Sequence, residues 1–409
     1  MQTTELLKQR KERGYEIAKS KKIVQHNGVW IVPSATNPHK TYEVVLRLDK
    51  STCTCPDFID RGIKCKHIFS VELTISKHIN KDGSTTITET KRIIYPQNWK
   101  AYNTATTQQK ELFMKLLNEL CNTIPSESEV RGRGRPKLPL KDMAFASALK
   151  VFTTFSLRRF TMDMKEAQGL GYIQNVPHYS SVALSMENPE LTPIIKELIT
   201  LSSLPLKTIE NNSFSIDSSG ISPSKFSRWY DHKYGKERDR KIWYKVHLLI
   251  GNKTHIACGV EITSQYETDT AMLPQLVNEA HKNFQMNELA GDKAYLSRTN
   301  LDYLDKLGIT PFIPFKANSV KKPMGSQMWK RMYNYFALNQ EAFLEHYHQR
   351  SNIESAFFMI KSKFGDYVRS KTETASINEI LLKVLCHNIC VVIQEMFELG
   401  ITPNFLQGD

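Results

Sequence analysis

Two closely spaced pairs of metal-ligating residues constrain the fold of the N-terminal part of this chain more than any other feature. Cys53 and Cys55 are separated by one residue, as are Cys65 and His67, and nine residues lie between the two pairs. Four soft or borderline ligands are the number that a tetrahedral structural zinc site requires. Because each i, i+2 pair must converge on one ion, we expect a strand end at the first pair and a helix start at the second.

The sequence around these pairs agrees with that expectation. Alternating β-branched and aromatic residues before Cys53 predict two strands separated by a turn at Asn37-Pro38, and the stretch from Ile68 predicts a helix through FSVELTISKHI. This arrangement resembles the SWIM zinc finger, whose C-x-C and C-x-H pairs match all four positions, and we assign it to residues 26–82. The resemblance implies one structural Zn²⁺ and binding to DNA or protein. The alternative is four buried, reduced side chains without a metal.

Composition favours a polyanionic partner. The 409 residues include 55 Lys and Arg against 42 Asp and Glu, a formal net charge of +13, and nucleic acid is the first candidate for such a chain. The sequence shows no basic amphipathic helix with a large apolar face, no apolar stretch of membrane-spanning length and no signal-peptide core at the N-terminus. We therefore expect a cytoplasmic, nucleoid-associated protein with no membrane partner.

The chain is long enough for two or three domains. Changes in composition divide it at a linker rich in Pro, Gly, Ser and Arg, and the pattern beyond this linker is first helical and then alternates strands with helices. The expected fold class is mixed α/β. The remaining predicted segments are a basic N-terminal helix (1–25), a helical connector (83–130), a basic arm (131–138), a helical DNA-binding region (139–206) and a catalytic domain (207–400).

The arm contains arginines but no side chains able to form a core. Arg133 and Arg135 alternate with glycines ahead of Pro136, which keeps the chain extended and suits a narrow DNA minor groove. The segment resembles an AT-hook motif, which implies that both arginines bind DNA, and a plain disordered linker is the alternative. From residue 131 to residue 165, nine Lys or Arg oppose two Asp, a local excess of +7. In the helical region that follows, we expect Ser156 to cap the second helix.

Three carboxylates stand where such a fold can gather them. Asp217 ends the alternating segment SFSID, Asp292 follows the strand ELAG, and Glu354 belongs to a helix. Two carboxylates on neighbouring strands and one on a helix suit hard, oxygen-seeking ions, so we expect Mg²⁺, with Mn²⁺ as its substitute.

The helix that contains Glu354 gives the most specific pattern. At 100° per residue, Tyr347, Arg350, Glu354 and Lys361 project within a stripe about 60° wide. This spacing resembles the Y-R-E-K signature of bacterial and archaeal insertion-sequence transposases of the DDE class, and the resemblance covers residues 138–399.

That resemblance implies an RNase H-like catalytic domain, two active-site ions and a DNA transposase that cuts element ends and joins their 3′-hydroxyls to target DNA. By the same resemblance, the catalytic and metal-binding residues are Asp217, Asp292 and Glu354, and the DNA-binding residues are Tyr347, Arg350 and Lys361. The partner is double-stranded DNA with terminal inverted repeats, and synapsis of two ends predicts a homodimer on DNA.

Weaker patterns and rival functions remain. Lys245, with Arg228 and Lys233 in a basic stretch, is expected to guide the DNA backbone, although such a run is more often a solvated loop. Taken singly, each signature residue also suits a capping or surface role. The competing functions are a catalytically silent DNA-binding protein derived from a transposase and a nuclease of the same fold that cuts without joining.

Overall fold

The chain forms two compact units. The structure is a computed structural model that describes residues 2–26, 29–37, 40–46, 51–61, 63–79, 85–89, 98–125, 138–210, 212–223 and 243–405. The first unit spans Met1–Pro96 and the second spans Gln97–Asp409.

The first unit is built on a small antiparallel sheet. Its strands, in the order in which they pair, are β1 (Val24–His26), β2 (Val29–Pro33), β3 (Thr41–Val45) and β4 (Thr52–Cys53). Trp30 and Val32 of β2 are buried while their neighbours are half-buried, which is the alternation that a strand with one face on a core requires. The helices of this unit are α1 (Gln2–Ser20), α2 (Pro56–Arg61) and α3 (Lys66–Thr74).

Helices α1 and α3 approach each other closely at Gly14. A Cβ atom at this position would lie 2.7 Å from the Cβ of Phe69, so only glycine permits the contact. Ile17 of α1 joins the same core as the buried strand residues.

The predicted helix from Ile68 is right only in its first part. Helix α3 ends at Thr74, and the next residues form β5 (Ile75–Ile79), which pairs antiparallel with β6 (Thr85–Glu89). β-branched residues are frequent in both segments and favour strands. Pairing between the strands supplies the backbone hydrogen bonds that a longer helix would have formed within itself. Pairing with a segment several residues away decides between the two structures.

Six helices begin the second unit: α4 (Trp99–Thr107), α5 (Gln109–Cys121), α6 (Leu140–Thr153), α7 (Thr161–Gly169), α8 (Tyr179–Met186) and α9 (Leu191–Ser203). Helix α4 lies within residues 83–130, the predicted helical connector. This helix is capped by the side chain of Asn98, whose Oδ1 accepts a hydrogen bond from the backbone of Ala101 at 3.1 Å.

The predicted cap at Ser156 is wrong. Helix α7 begins only at Thr161, and the Ser156 carbonyl, rather than its hydroxyl, accepts a hydrogen bond from the Phe160 backbone at 3.0 Å. Phe160 is buried. Residues 157–160 form a turn that ends at this buried ring, and the α-helix begins directly after it.

A five-stranded mixed sheet organises the rest of the second unit and confirms the mixed α/β class. Its strands are β7 (Ser213–Ile221), β8 (Tyr244–Gly251), β9 (Ala257–Ser264), β10 (Glu288–Gly291) and β11 (Thr310–Phe312). The order is β11-β10-β7-β8-β9, with β7, β8 and β9 antiparallel and with β10 and β11 parallel to β7. The carboxyl ends of β7, β10 and β11 therefore lie at one edge, which we call the carboxylate edge.

Helices connect and cover these strands. They are α10 (Asp269–His281), α11 (Arg298–Lys306), α12 (Gln327–Leu338), α13 (Gln340–Tyr347), α14 (Ser351–Phe364) and α15 (Glu373–Glu398). Gly365, which has a φ of +86°, ends α14 and separates it from α15.

Helix α15 is the central helix of the second unit and contacts α4, α5, α6, α8, α9 and β9. Its buried Asn388 donates hydrogen bonds to the carbonyls of Ile199 and Ala257 and accepts one from the Ala257 backbone N–H at 2.9 Å. The helix is long and apolar enough to cross a membrane, but 72% of its most apolar stretch is buried in the protein. Such burial is typical of the central helix of a globular core.

Candidate active site and zinc site

Parallel pairing of β10 with β7 brings two of the predicted carboxylates to neighbouring positions. Ile216 lies alongside Gly291, so Asp217 and Asp292 are the next residues on adjacent chains. Asp292 follows the last residue of its strand, as predicted, and its Oδ1 accepts a hydrogen bond from the Lys293 backbone at 2.7 Å. Asp217 instead lies in the middle of its strand, because β7 continues to Ile221.

Arg350 links two of the three carboxylates. It ends a 3₁₀ turn, His348–Arg350, between α13 and α14. Its Nη2 lies 2.9 Å from Asp217 Oδ2 and its Nη1 lies 2.7 Å from Glu354 Oε1. The Asp217 side chain is 16% exposed and the Glu354 side chain is 62% exposed, so solvent screens the second contact far more than the first.

The predicted stripe on a single α-helix is interrupted. Tyr347 ends α13, and the 3₁₀ turn separates it from the α-helix that contains Glu354. Lys361 nevertheless reaches the same region, since its Nζ donates to the Ser219 hydroxyl at 2.6 Å. Ser219 is two residues beyond Asp217 and so lies on the same face of β7. Arg350 and Lys361 both contact the strand face that contains Asp217.

Burial has the largest effect on the pKa of Asp217. Burial raises the pKa of Asp217, the negative charges of Asp292 and Asp269 raise it further, and Arg350 opposes them. Burial also raises the pKa of Tyr347, and the charge of Arg350 acts against that rise. Arg350 and the Ser218 backbone N–H therefore offset only part of the rise that burial and the two acidic neighbours cause in the pKa of Asp217.

In the first unit, the four predicted zinc ligands come together. Cys53, Cys55, Cys65 and His67 are all buried, and their ligand atoms lie within 4.8 Å of one another. His67 turns Nδ1 towards the sulfurs, 3.9 Å from Cys53 Sγ and 4.0 Å from Cys65 Sγ. A tetrahedral zinc ion separates its ligand atoms by roughly 3.6 Å, so only a small contraction would complete the site.

Comparison with known families assigns both regions. Residues 211–389 match the family model of the transposase DDE domain, and all three carboxylates lie within the matched residues. This region is similar to a transposase DDE domain. Residues 42–75 match the SWIM zinc finger, and the match contains all four clustered ligands. The two predicted resemblances are confirmed.

The DDE domain has a donor set that suits divalent cations. Three carboxylates supply hard oxygen ligands, and Arg350 is the one cation paired with them among the described residues. Within the same described residues, the zinc cluster is the one group of three or more potential ligands that meets the 4.8 Å limit. In this conformation Arg350 contacts both Asp217 and Glu354. The three carboxylates lie farther apart than the four zinc ligands do.

Lys245 is not brought to this face of the sheet. It pairs across the strands with Gly220, so its side chain lies on the face opposite Asp217. Its Nζ contacts Asp269 Oδ2 at 2.9 Å, and the side chain is only 12% exposed. This placement gives no support to the DNA contact predicted for Lys245.

Sequence reasoning missed Asp269, an acidic residue that contributes to the charge felt by Asp217. It begins α10 and lies 3.4 Å from Nδ1 of the buried His247. In the sequence, Asp269 is an ordinary acidic residue in the first turn of a helix. Only the folded structure reveals that its charge acts on Asp217. Arg133, Arg135, Arg228 and Lys233 lie outside the described residues.

Proposed function

We propose that the protein is a DNA transposase with an RNase H-like catalytic domain, which cuts the ends of a mobile element and joins the 3′-hydroxyls to target DNA. One observation carries this proposal. Within a transposase DDE domain, the chain places Asp217 and Asp292 at adjacent positions of parallel strands, and Arg350 joins Asp217 to Glu354. The sheet order, three antiparallel strands flanked by two parallel ones, supports the fold assignment.

The three carboxylates are proposed to hold two Mg²⁺ or Mn²⁺ ions. Such ions stabilise charge on a phosphodiester and activate the attacking water or hydroxyl. The protein itself binds and orients the DNA. Arg350 and Lys361 are positively charged groups on the strand face that contains Asp217, and we propose that both hold phosphate oxygens, with Tyr347 contacting the DNA beside them.

The other segments are given roles that depend on this activity. We propose that the SWIM unit holds one structural Zn²⁺ and that residues 139–206 and the arm with Arg133 and Arg135 help to bind element ends. A homodimer would bring two ends together, and the site of action would be the cytoplasm, at the nucleoid.

Replacing Asp292 with Asn tests the proposal directly. The purified chain is incubated with a plasmid whose mini-element is bounded by the DNA that naturally flanks the gene, with Mg²⁺ or Mn²⁺. We expect wild-type protein to give joined products. Loss of a metal ligand removes several kcal/mol of transition-state stabilisation, so Asp292→Asn should lower cleavage about a thousandfold while DNA binding persists.

The matched control is Asp305→Asn, an exposed surface residue of the same domain that pairs only with Arg331 among the described side chains. It should retain activity. Cutting without joining would indicate a nuclease, and binding without cutting by the wild type would indicate a silent derivative. Undiminished cleavage by Asp292→Asn would show that the site is assigned wrongly.

A further inference from the structure

A basic surface with no assigned role follows strand β11. The 34 residues between Lys306 and Glu341 contain no Asp or Glu. Four lysines in this stretch are exposed, and among the described residues no ion pair is formed by any of them. We call these residues the lysine surface: Lys316, Lys321, Lys322 and Lys330.

Side chains fix the loop that contains three of these lysines. Arg298 donates to the carbonyl oxygens of Lys322 at 3.1 Å and Pro323 at 3.2 Å, and the indole of Trp329 donates to Val320 O at 2.9 Å. The Arg298 guanidinium also stacks 4.2 Å from the Trp329 ring centroid. The loop backbone is therefore held in one conformation while its lysine side chains extend into solvent.

Aromatic packing anchors the start of the same loop. The Phe315 ring, immediately before Lys316, is buried and lies 4.9 Å from the ring of Trp329 and 5.2 Å from that of Tyr333. At the far end, the Ser326 hydroxyl bonds to Asp302 at 2.5 Å and caps α12. Both ends of the loop are thus fixed to the domain core.

The topology places this loop beside the catalytic carboxylates. It leaves the carboxyl end of β11, which is parallel to β10 and β7, and so emerges at the carboxylate edge together with Asp292. Arg298, which holds the loop, lies only six residues after Asp292 in the sequence. A polyanion in contact with the carboxylates would have the lysine surface next to it.

We infer that the lysine surface binds the phosphate backbone of duplex DNA lying along the carboxylate edge. The inference rests on the proposed function, because it takes DNA as the molecule on which the site acts. Solvated surfaces generally intersperse charges of both signs, whereas this stretch of sequence contains no acidic residue. The acidic residues that contact it, Asp302 and Asp305, are engaged by Ser326 and Arg331. A preformed loop loses little conformational entropy when it binds phosphates, which favours binding over mere solubility.

The test measures how DNA affinity depends on salt. The double variant Lys321→Ala, Lys322→Ala is compared with wild type by fluorescence anisotropy of a labelled duplex of about 30 base pairs, from about 50 to about 200 mM KCl, without Mg²⁺ or Mn²⁺. Each lost phosphate contact should reduce the slope of log affinity against log salt by about 0.9, so we expect a reduction of about 1.8.

The control variant Lys207→Ala, Lys253→Ala removes the same charge from the opposite edge of the sheet. Both residues are exposed, one before β7 and the other in the turn after β8. Its salt slope should equal that of the wild type. Because the wild type is assayed for cutting separately, the loss of slope in the first variant supports the inference even if cutting is absent.

Two results would overturn the inference. An unchanged slope in the Lys321, Lys322 variant would show that these lysines do not contact phosphates, and an equal reduction in both variants would show a general charge effect. Binding of a labelled polyglutamate peptide, measured in parallel, tests whether the lysine surface binds an acidic protein instead. Loss of peptide binding with an unchanged DNA slope would assign the surface to such a partner and reject DNA.

Discussion

Asp217 illustrates the conflict between stability and chemistry at a single residue. Its carboxylate is largely buried, and this desolvation raises its pKa above the ordinary value of 3.8. The charges of Asp292 and Asp269 raise the pKa further, while the Ser218 backbone N–H and Arg350 lower it. The folded state therefore holds the proton to a higher pH than the unfolded chain does. Ionisation of Asp217 costs folding free energy above that raised pKa, and the cost disappears below pH 3.8, where both states are protonated.

Replacing this carboxylate should stabilise the protein. Without added divalent ions, Asp217→Asn is expected to have a higher free energy of unfolding than wild type near pH 7, because the buried amide carries no charge to desolvate. The difference should shrink as the pH falls towards 3.8. Urea denaturation at several pH values measures both effects.

Asp305→Asn serves as the control, since that carboxylate is exposed on the surface of the same domain. It should show no comparable pH-dependent gain. A less stable Asp217→Asn protein near neutral pH would mean that the contact with Arg350 outweighs burial and repulsion.

Residue types and their spacing predicted part of the candidate site, because Asp292 follows a strand end and the zinc ligands form two closely spaced pairs. Asp217 was expected at a strand end but lies in the middle of β7. Residue types and spacing could not predict that Lys245 turns away from Asp217 or that Asp269 approaches it. Both depend on which face of β8 meets α10, and that choice is made by packing across the sheet rather than by local sequence.

At the scale of secondary structure, Asn388 joins three elements of the core. From within α15, its side-chain amide forms hydrogen bonds with the last part of α9 and with the first residue of β9. Replacement with Leu preserves approximate size but leaves the Ala257 N–H and two carbonyls without this partner. We expect Asn388→Leu to lower the free energy of unfolding by about 3 kcal/mol, measured by urea denaturation.

Asn103→Leu is the matched control, because Asn103 is an exposed residue within α4. It should change stability by less than about 0.5 kcal/mol. If Asn388→Leu were equally neutral, the polar contacts of this residue would be replaceable by apolar packing.

Secondary-structure elements were predicted best where the sequence pattern was long and regular. The alternating segment SFSID lies in β7, the predicted strand ELAG is β10, and the helix predicted around Glu354 is α14. Predictions failed at β5, whose backbone pairs with β6, and at the start of α7, which follows a turn at residues 157–160. The 3₁₀ turn at His348–Arg350 was also missed, because helical periodicity does not distinguish it over three residues.

At the scale of the whole molecule, the two compact units should respond differently to loss of zinc. The first unit has a small core to which three of the four proposed ligands contribute directly, and a structural zinc supplies on the order of 10 kcal/mol of folding free energy. Cys65→Ser or a zinc chelator should therefore unfold the first unit and leave the second folded. Hydrogen exchange should show protection lost in β2, β3 and α3 and retained in β8 and α15.

Cys390→Ser provides the comparison, since this cysteine belongs to the second unit and lies outside the cluster. Elemental analysis should find one zinc per chain in this variant, as in wild type. Full protection of β2 and β3 after complete zinc removal would support the alternative of four buried residues that need no metal.

The position of α15 along the chain has a consequence for biosynthesis. This helix contacts elements from α4 to β9, all of which leave the ribosome before it does. The helical layer and the sheet of the second unit cannot close around their common core until residue 398 has been translated. A ribosome that stalls earlier would release a chain with exposed apolar surface, a substrate for chaperones and proteases rather than an active fragment.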